Sequence, residues 1–239
     1  DSLLSQAHSL LGQRASYLGT LGHGDITHLN PLQNTTPEPL LLQKLLQQDL
    51  KQNVKHVCME VSSHGLSLGR VNGVSFRQAI YTNLSHDHLD FHPSLEAYAE
   101  AKSMLFGMEG LHDVILNEDC AYVDTMKRAV KSGCKIWTYS LNKAADFKVL
   151  DYEMSLSGTT IKLLSPEGEL TFKTKLLGLF NVYNAVAVFA SLMLYGYPIK
   201  EIILVMNEIK PAPGRLEIVH TKPCVLVDYA HTPDALLNV

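Results

Sequence analysis

No hydrophobic run in this chain approaches the roughly 20 residues that a membrane-spanning helix needs, so membrane insertion is not expected. The N-terminal stretch "DSLLSQAHSLLGQ" lacks a basic flank and reads as an amphipathic helix, not a signal peptide. Lysine- and arginine-rich runs are also missing, and 20 basic residues against 24 acidic ones leave a net charge of −4. That balance argues against nucleic acid as a partner. Cysteine is scarce: Cys58, Cys120, Cys134 and Cys224 are widely spaced, with no C-x-x-C pair. They read as buried, reduced thiols of a cytoplasmic protein. No glycine is followed by lysine, which excludes a Walker A phosphate loop within these residues. Internal repeats and low-complexity tracts are absent too. What is present is an ordinary soluble composition, 46% hydrophobic and 18% charged over 239 residues, enough for one large domain or two small ones.

Up to about residue 140, strand-like and helix-like stretches alternate. "ASYLGTLG", "HVCMEV", "QAIYTN", "DVILN" and "CKIWTYS" read as strands. Ser2 to Leu11, the leucine-rich stretch after "TPEP" (with Leu41, Leu45 and Leu46 at helical spacing) and "SLEAYAEAKSMLF" read as helices. Ser94 is placed to cap the last of these, with Glu96 in its first turn. This rhythm predicts an α/β fold: a mostly parallel sheet flanked on both faces by helices. From about Phe147 the pattern becomes polar–apolar alternation with turns at "SGT" and "PEG", which predicts a small antiparallel sheet. Two helices follow, around Asn181–Tyr195 and Ile199–Glu208. "KPAPG" then reads as a linker, and the residues after it as the start of a second α/β domain. The expected domains are 1–213 and 214–239.

Three positions stand out chemically. Glu60 sits at the carboxyl end of an apolar strand, where a carboxylate is costly unless it is paired, metal-bound or turned to solvent. Open parallel sheets bind ligands at that edge. The next strand leads into "TNLSHDHLDFH", with His86, Asp87, His88, Asp90 and His92. Lys102 shares a helix face with Tyr98, Ala101 and Leu105. It is either a snorkelling lysine or a desolvated amine able to add carbon dioxide and become an anionic carbamate. Glu60, His88 and a carbamylated Lys102 would give two oxygen donors and one nitrogen, a set that suits Mg2+. Zinc fits less well, because no cysteine set or H-E-x-x-H helix is present. Asp87 and Asp90 suit turn capping or orienting His88. The outer histidines suit solvated or supporting roles. "NTTPEP", with Asn34, Thr35 and Thr36, offers an anion site at a helix start. Arg70 and Arg215 could meet carboxylate or phosphate. Asn181 and Asn184 could read an adenine edge or cap a helix, and Asp228 could hold a ribose hydroxyl.

"NTTP", "MEVSSHGL", "TNLSHDHLDFH", "AYAEAKSMLF", "FNVYNA", "PGRLE" and "DYAHTPDAL", in this order, resemble the motifs of the Mur ligases of peptidoglycan synthesis. The likeness is greatest to the branch that adds the third amino acid of the stem peptide, and it covers nearly the whole chain. The resemblance implies ATP-dependent amide formation through an acyl phosphate. Meso-diaminopimelate or L-lysine would be joined to UDP-MurNAc-L-Ala-D-Glu by a cytoplasmic, monomeric enzyme of cell wall biogenesis, and so of cell shape and division. It implies Mg2+ held by Glu60, His88 and a carbamylated Lys102, with Lys102 and His88 catalytic. UDP-MurNAc-dipeptide would be held by Asn34, Thr35, Thr36, Ser62 and Arg70, and ATP by Asn181, Asn184, Arg215 and Asp228. The family's G-T-N-G-K-T loop is expected just before Asp1, and most of the domain that selects the amino acid after Val239. The chain therefore reads as a central ATP-binding domain, expected to be inactive alone. Leu68 stands where a glutamine is expected, which leaves one substrate contact unassigned. The rival readings are a D-Ala-D-Ala-adding Mur ligase or a folylpolyglutamate synthase, against which "DYAHTPDAL" argues, and a non-catalytic binding module of the same fold.

Overall fold

The computed structural model of the chain describes residues 1–84, 91–221, 224–228 and 230. The chain divides into two compact units, residues 1–116 with 120–136, and residues 117–119 with 137–239. The boundary expected near residue 213 falls inside the second unit.

The first unit holds a four-stranded sheet of order β3-β2-β1-β4, built from β1 (Ala15–Gly19), β2 (Gly22–Asp25), β3 (His28–Asn30) and β4 (His56–Met59). β1 and β4 run parallel, joined through α2 (Pro39–Lys51), while β2 and β3 fold back as an antiparallel hairpin. β1 is buried throughout, as a strand between two neighbours should be. Proline at the first position of α2 needs no N–H partner there. The buried face of that helix is Leu42, Leu45 and Asp49, not the face of Leu41, which is 43% exposed. Leu42 and Leu45 pack with Leu18, Leu66 and Val71, and Asp49 pairs with the buried His23 of β2 at 2.9 Å. That pairing removes the penalty of a buried carboxylate; of the expected stripe, Leu45 is buried and Leu46 packs against the same cluster, while Leu41 gives way to Leu42. The His8 ring of α1 (Ser2–Leu10) stacks on His56 with centroids 3.9 Å apart.

A second parallel pair in this unit, β5 (Gln78–Tyr81) and β6 (Asp113–Asn117), packs against α4 (Leu95–Ser103) and α5 (Val123–Ala129). Ala79, Tyr81, Ala99, Val114, Leu116, Val123 and Met126 form its core. Ser94 caps α4 as expected, its Oγ accepting from Ala97 N at 3.2 Å. Between β4 and β5 lies a one-turn helix, α3 (Ser63–Ser67).

In the second unit, β7 (Lys135–Ser140) pairs in parallel with β8 (Phe147–Ser155). β8, β9 (Gly158–Ser165) and β10 (Gly168–Thr174) form the expected antiparallel meander, with turns where "SGT" and "PEG" stand. Phe147, Val149, Ile161, Leu163 and Phe172 are its buried face. Phe172 stacks on Phe189 of α6 (Leu179–Tyr195) at 5.0 Å. Gly196, left-handed at φ 104, ends α6, the conformation in which glycine carries no Cβ penalty. α7 (Ile199–Glu208) follows, then a hairpin of β11 (Glu217–Thr221) and β12 (Cys224–Val227). Among the described residues no helix is long and apolar enough to cross a membrane. Burial raises the Cys58 thiol to about 12, as expected for an inert core cysteine. Cys120 and Cys134 are half-buried and free.

Candidate active site

The register of the first sheet builds the centre of the candidate site. Leu18 pairs with Met59, and Glu60 N–H donates to Leu18 O at 2.8 Å. This carries the parallel pairing one residue past β4. Glu60 is thereby set beside Gly19 and Thr20 at the carboxyl ends of two adjacent strands, the edge at which such sheets bind ligands. Its carboxylate is held by three donors. Tyr17 O–H reaches Oε1 at 2.5 Å, while Thr20 N–H and Thr20 O–H reach Oε2 at 3.1 and 2.8 Å. Tyr17 Oη in turn accepts from Leu21 N at 3.2 Å. Burial, and then its bond to Glu60, pushes the Tyr17 hydroxyl above its ordinary range, so it stays a donor. Gly19 is required by space: a Cβ there would lie 2.4 Å from Tyr17 Oη and 2.6 Å from Glu60 Cδ.

The "NTTP" loop is tied to the same strand end. Thr35 Oγ1 lies 3.0 Å from Thr20 Oγ1. Thr36 is buried; its hydroxyl donates to Glu60 O at 3.0 Å and accepts from Ser62 N at 2.9 Å. Arg70 clamps the loop from the far side. Nη1 donates to Thr36 O at 2.9 Å and Nη2 pairs with Glu38 at 2.5 Å. Its buried Nε has no hydrogen-bond partner among the described residues. Ser62 Oγ caps α3, accepting from Gly65 N at 3.0 Å. Asn34 is exposed on the loop.

His88, with His86, Asp87 and Asp90, lies outside the described residues. The neighbouring His92, expected to be solvated or supporting, is buried. Its Nε2 lies 2.9 Å from Ser63 Oγ, and its ring stacks on Tyr98 with centroids 5.0 Å apart. Lys102 is half-buried, with Nζ 5.0 Å from the Tyr98 ring centroid. An ammonium at that distance gains from the ring quadrupole. Tyr98 therefore carries both His92 and Lys102. Among the described residues, no three His, Cys, Asp or Glu side chains come together as metal ligands. Glu60 nevertheless fits a hard cation. An ionised carboxylate has about four acceptor positions, and the three donors leave one.

In the second unit, Asn181 is buried. Nδ2 donates to Leu177 O at 2.8 Å, and Oδ1 accepts from Asn184 Nδ2 at 3.1 Å. Between them Tyr183 donates to Asp119 Oδ2 at 2.9 Å. Asp119 also accepts from Ser140 Oγ and from the N–H groups of Leu141 and Asn142. Burial alone would raise the Asp119 carboxyl, but these four donors outweigh it and hold the group below its ordinary value. Asp228 is half-buried and accepts from Leu216 N at 2.8 Å and Ala230 N at 2.7 Å. It thereby fixes Leu216 in a left-handed conformation, φ 44. Arg215 is exposed beside it.

Tyr17, Thr20, Asp119 and Tyr183 do not stand out in the sequence; their signals there are "GT" closing an apolar strand and a tyrosine between the two asparagines of "NVYN".

The Mur ligase middle domain matches residues 2–192. The UDP-N-acetylmuramoyl-L-alanyl-D-glutamate--2,6-diaminopimelate ligase of Neisseria meningitidis serogroup A is 42% identical over 238 residues, 98% of this chain and 48% of the relative. A solved structure of a ligase of that name superposes with a TM-score of 0.89 at 38% identity, over 98% of this chain and 49% of the other. MurF from Acinetobacter baumannii, at 20% identity and a TM-score of 0.79 over 99% of this chain and 49% of its own, shares the fold. The chain spans about half the length of the curated relatives it matches. Fold, motif order and match together establish that the chain belongs to the Mur ligase family.

Proposed function

We propose that the whole protein carrying this chain joins 2,6-diaminopimelate to UDP-N-acetylmuramoyl-L-alanyl-D-glutamate at the expense of ATP. The reaction would be a cytoplasmic step of peptidoglycan synthesis, serving cell wall biogenesis, cell shape and division, and the enzyme a monomer. The relatives' shared name supports diaminopimelate over L-lysine. Residues 1–213 would be the central ATP-binding domain and 214–239 the start of the domain that takes the amino acid. This chain would not ligate alone.

The observation that carries the reading is the cradled Glu60 carboxylate beside the "NTTP" loop. Glu60, His88 and Lys102 would hold Mg2+, which, when bound, neutralises charge developing on a transferred phosphoryl group. Lys102 would serve as its carbamate: the amine adds carbon dioxide, a C–N bond forms and a proton leaves. Asn34, Thr35 and Ser62 border the substrate side. Thr36 and Arg70 hold the loop in shape. Asn181 and Asn184 would face the adenine, with Arg215 and Asp228 at the phosphates and ribose. The substrate carboxylate attacks the γ-phosphorus of ATP and ADP departs. The amine of the incoming amino acid then displaces phosphate from the acyl phosphate.

Magnesium titration of the full-length enzyme against a Lys102→Ala variant tests the site. Loss of ligation by about 100-fold or more is expected, as for removal of a charge-stabilising group. Unchanged activity would remove Lys102 from it.

A further inference from the structure

We infer that Thr20 is a positioning residue that joins the Glu60 carboxylate to Thr35 through a directed hydroxyl relay. As a result, Thr35 meets the UDP-linked substrate only as a hydrogen-bond acceptor.

The direction follows from what each group can do. A carboxylate accepts and does not donate. Glu60 Oε2 therefore takes the hydrogen of Thr20 Oγ1, 2.8 Å away. A hydroxyl has one hydrogen, so Thr20 has none left for Thr35, 3.0 Å away. The hydrogen of that contact must come from Thr35. Thr35 thus points its hydrogen inward and keeps both lone pairs free to accept. The opposite direction would require Thr20 to leave Oε2 with only the Thr20 N–H at 3.1 Å. The Tyr17 side of the carboxylate has the same polarity: Leu21 N–H donates to Tyr17 Oη, and Tyr17 O–H donates to Oε1. The Tyr17 and Thr20 hydroxyls are therefore both oriented by the carboxylate.

The relay has room for nothing else. Gly19 admits no side chain between Tyr17 and Glu60. Thr36, the other hydroxyl of the loop, is fully buried, with its hydrogen on Glu60 O and Ser62 N–H bonded to its oxygen. Thr35 is the half-buried hydroxyl that remains. Two consequences follow. The substrate group facing Thr35 is a donor, an amide N–H or a hydroxyl, and not a phosphate oxygen. A change at Glu60 reaches substrate binding with no metal present.

This inference rests on the proposed substrate, and on Glu60 as a metal ligand only for its second readout. The test uses the full-length enzyme with wild type, Thr20→Val, Thr20→Ser, Glu60→Gln and the Thr20→Val/Glu60→Gln double variant. Calorimetry gives the Kd of UDP-MurNAc-L-Ala-D-Glu in chelator, without divalent cation, and separately the Kd of Mn2+ alone. Thr20 is exposed, so the unfolding midpoint should stay at the wild-type value in Thr20→Val. Thr20→Val is expected to weaken substrate binding in chelator about fivefold, and Mn2+ binding about tenfold, as loss of a group that orients a ligand does. Thr20→Ser should restore both. Glu60→Gln should weaken the metal-free substrate complex by a similar factor, and the double variant should be no worse than the weaker single one. Wild-type substrate affinity in Thr20→Val, or additive losses in the double variant, would overturn the relay. Unchanged Mn2+ binding in Glu60→Gln would instead overturn the metal reading, and the relay would stand if the substrate arms behave as expected.

Discussion

The imidazoles of His8 and His56 lie 3.9 Å apart and within 7° of parallel. His8 is buried, and burial followed by the neighbouring His56 charge lowers it from 6.5 to about 3. His56 is lowered too, by burial and by Arg77. Both are bases whose folded values lie below their unfolded ones. The unfolded chain therefore takes up protons first as the pH falls. Stability is whole above about pH 6.5 and declines as pH falls from there toward 3, by at most about 1.4 kcal/mol per pH unit for each histidine. Denaturant midpoints measured between pH 7 and 4 should show this slope, and His8→Phe should flatten it. An equal slope in that variant would contradict the assignment.

Gly19→Ala places a methyl group against Tyr17 Oη and Glu60 Cδ. Both belong to the cradle and are held, so the carboxylate must move. Overpacking of this kind costs about 1–3 kcal/mol. Displacing a catalytic group by about 1 Å costs on the order of 100-fold in rate. Steady-state ligation by the full-length variant should fall by that factor while the protein remains folded in circular dichroism.

Removing Asp119 leaves Ser140, Tyr183 and Leu141 N–H without their acceptor, while Asn142 N–H keeps Ser140 Oγ at 2.9 Å. Asp119→Ala should destabilise by roughly 2–4 kcal/mol, whereas Tyr183→Phe, which removes one donor, should cost about 1 kcal/mol. Equilibrium denaturation compares the two. Equal losses would mean that Tyr183 alone carries the network.

Arg70 makes two bonds with one guanidinium, to Thr36 O and to Glu38. A lysine amine cannot reproduce that fork. Arg70→Lys should raise KM for the UDP-linked substrate at least about tenfold, the equivalent of 1.4 kcal/mol, with kcat changed much less. A fall in kcat at constant KM would contradict a role in shaping the loop.

Much of this was legible from the residues, for identifiable reasons. Helix α7 begins and ends where its apolar spacing says, and in the meander alternation is clear in β9 but lost in β8 after Val149, where the register shifts. The hairpin β2–β3 was not legible. "GHGDITHLN" is polar and glycine-rich, and it becomes a strand pair because β1 offers an open edge and His23 finds Asp49. In α2 the leucine spacing placed Leu45 and Leu46 correctly at the core, but it put Leu41 where Leu42 is buried and gave no sign of Asp49. At the site, Glu60 announced itself as a carboxylate ending an apolar strand. Tyr17 and Thr20 did not, because they reach Glu60 across 43 and 40 residues, and only the β1–β4 register brings them together. His92 read as one of three loop histidines, yet it is a core residue that supports Tyr98 beneath Lys102.

Amide ligation of diaminopimelate is tested by mass analysis of the product formed by the full-length enzyme from UDP-MurNAc-L-Ala-D-Glu, ATP and magnesium, with meso-diaminopimelate or L-lysine supplied in turn. A UDP-MurNAc-tripeptide with one phosphate released per amide bond is expected with diaminopimelate, and at least about 100-fold less with lysine. Absence of tripeptide with either amino acid, from an enzyme that binds the dipeptide substrate, would contradict it.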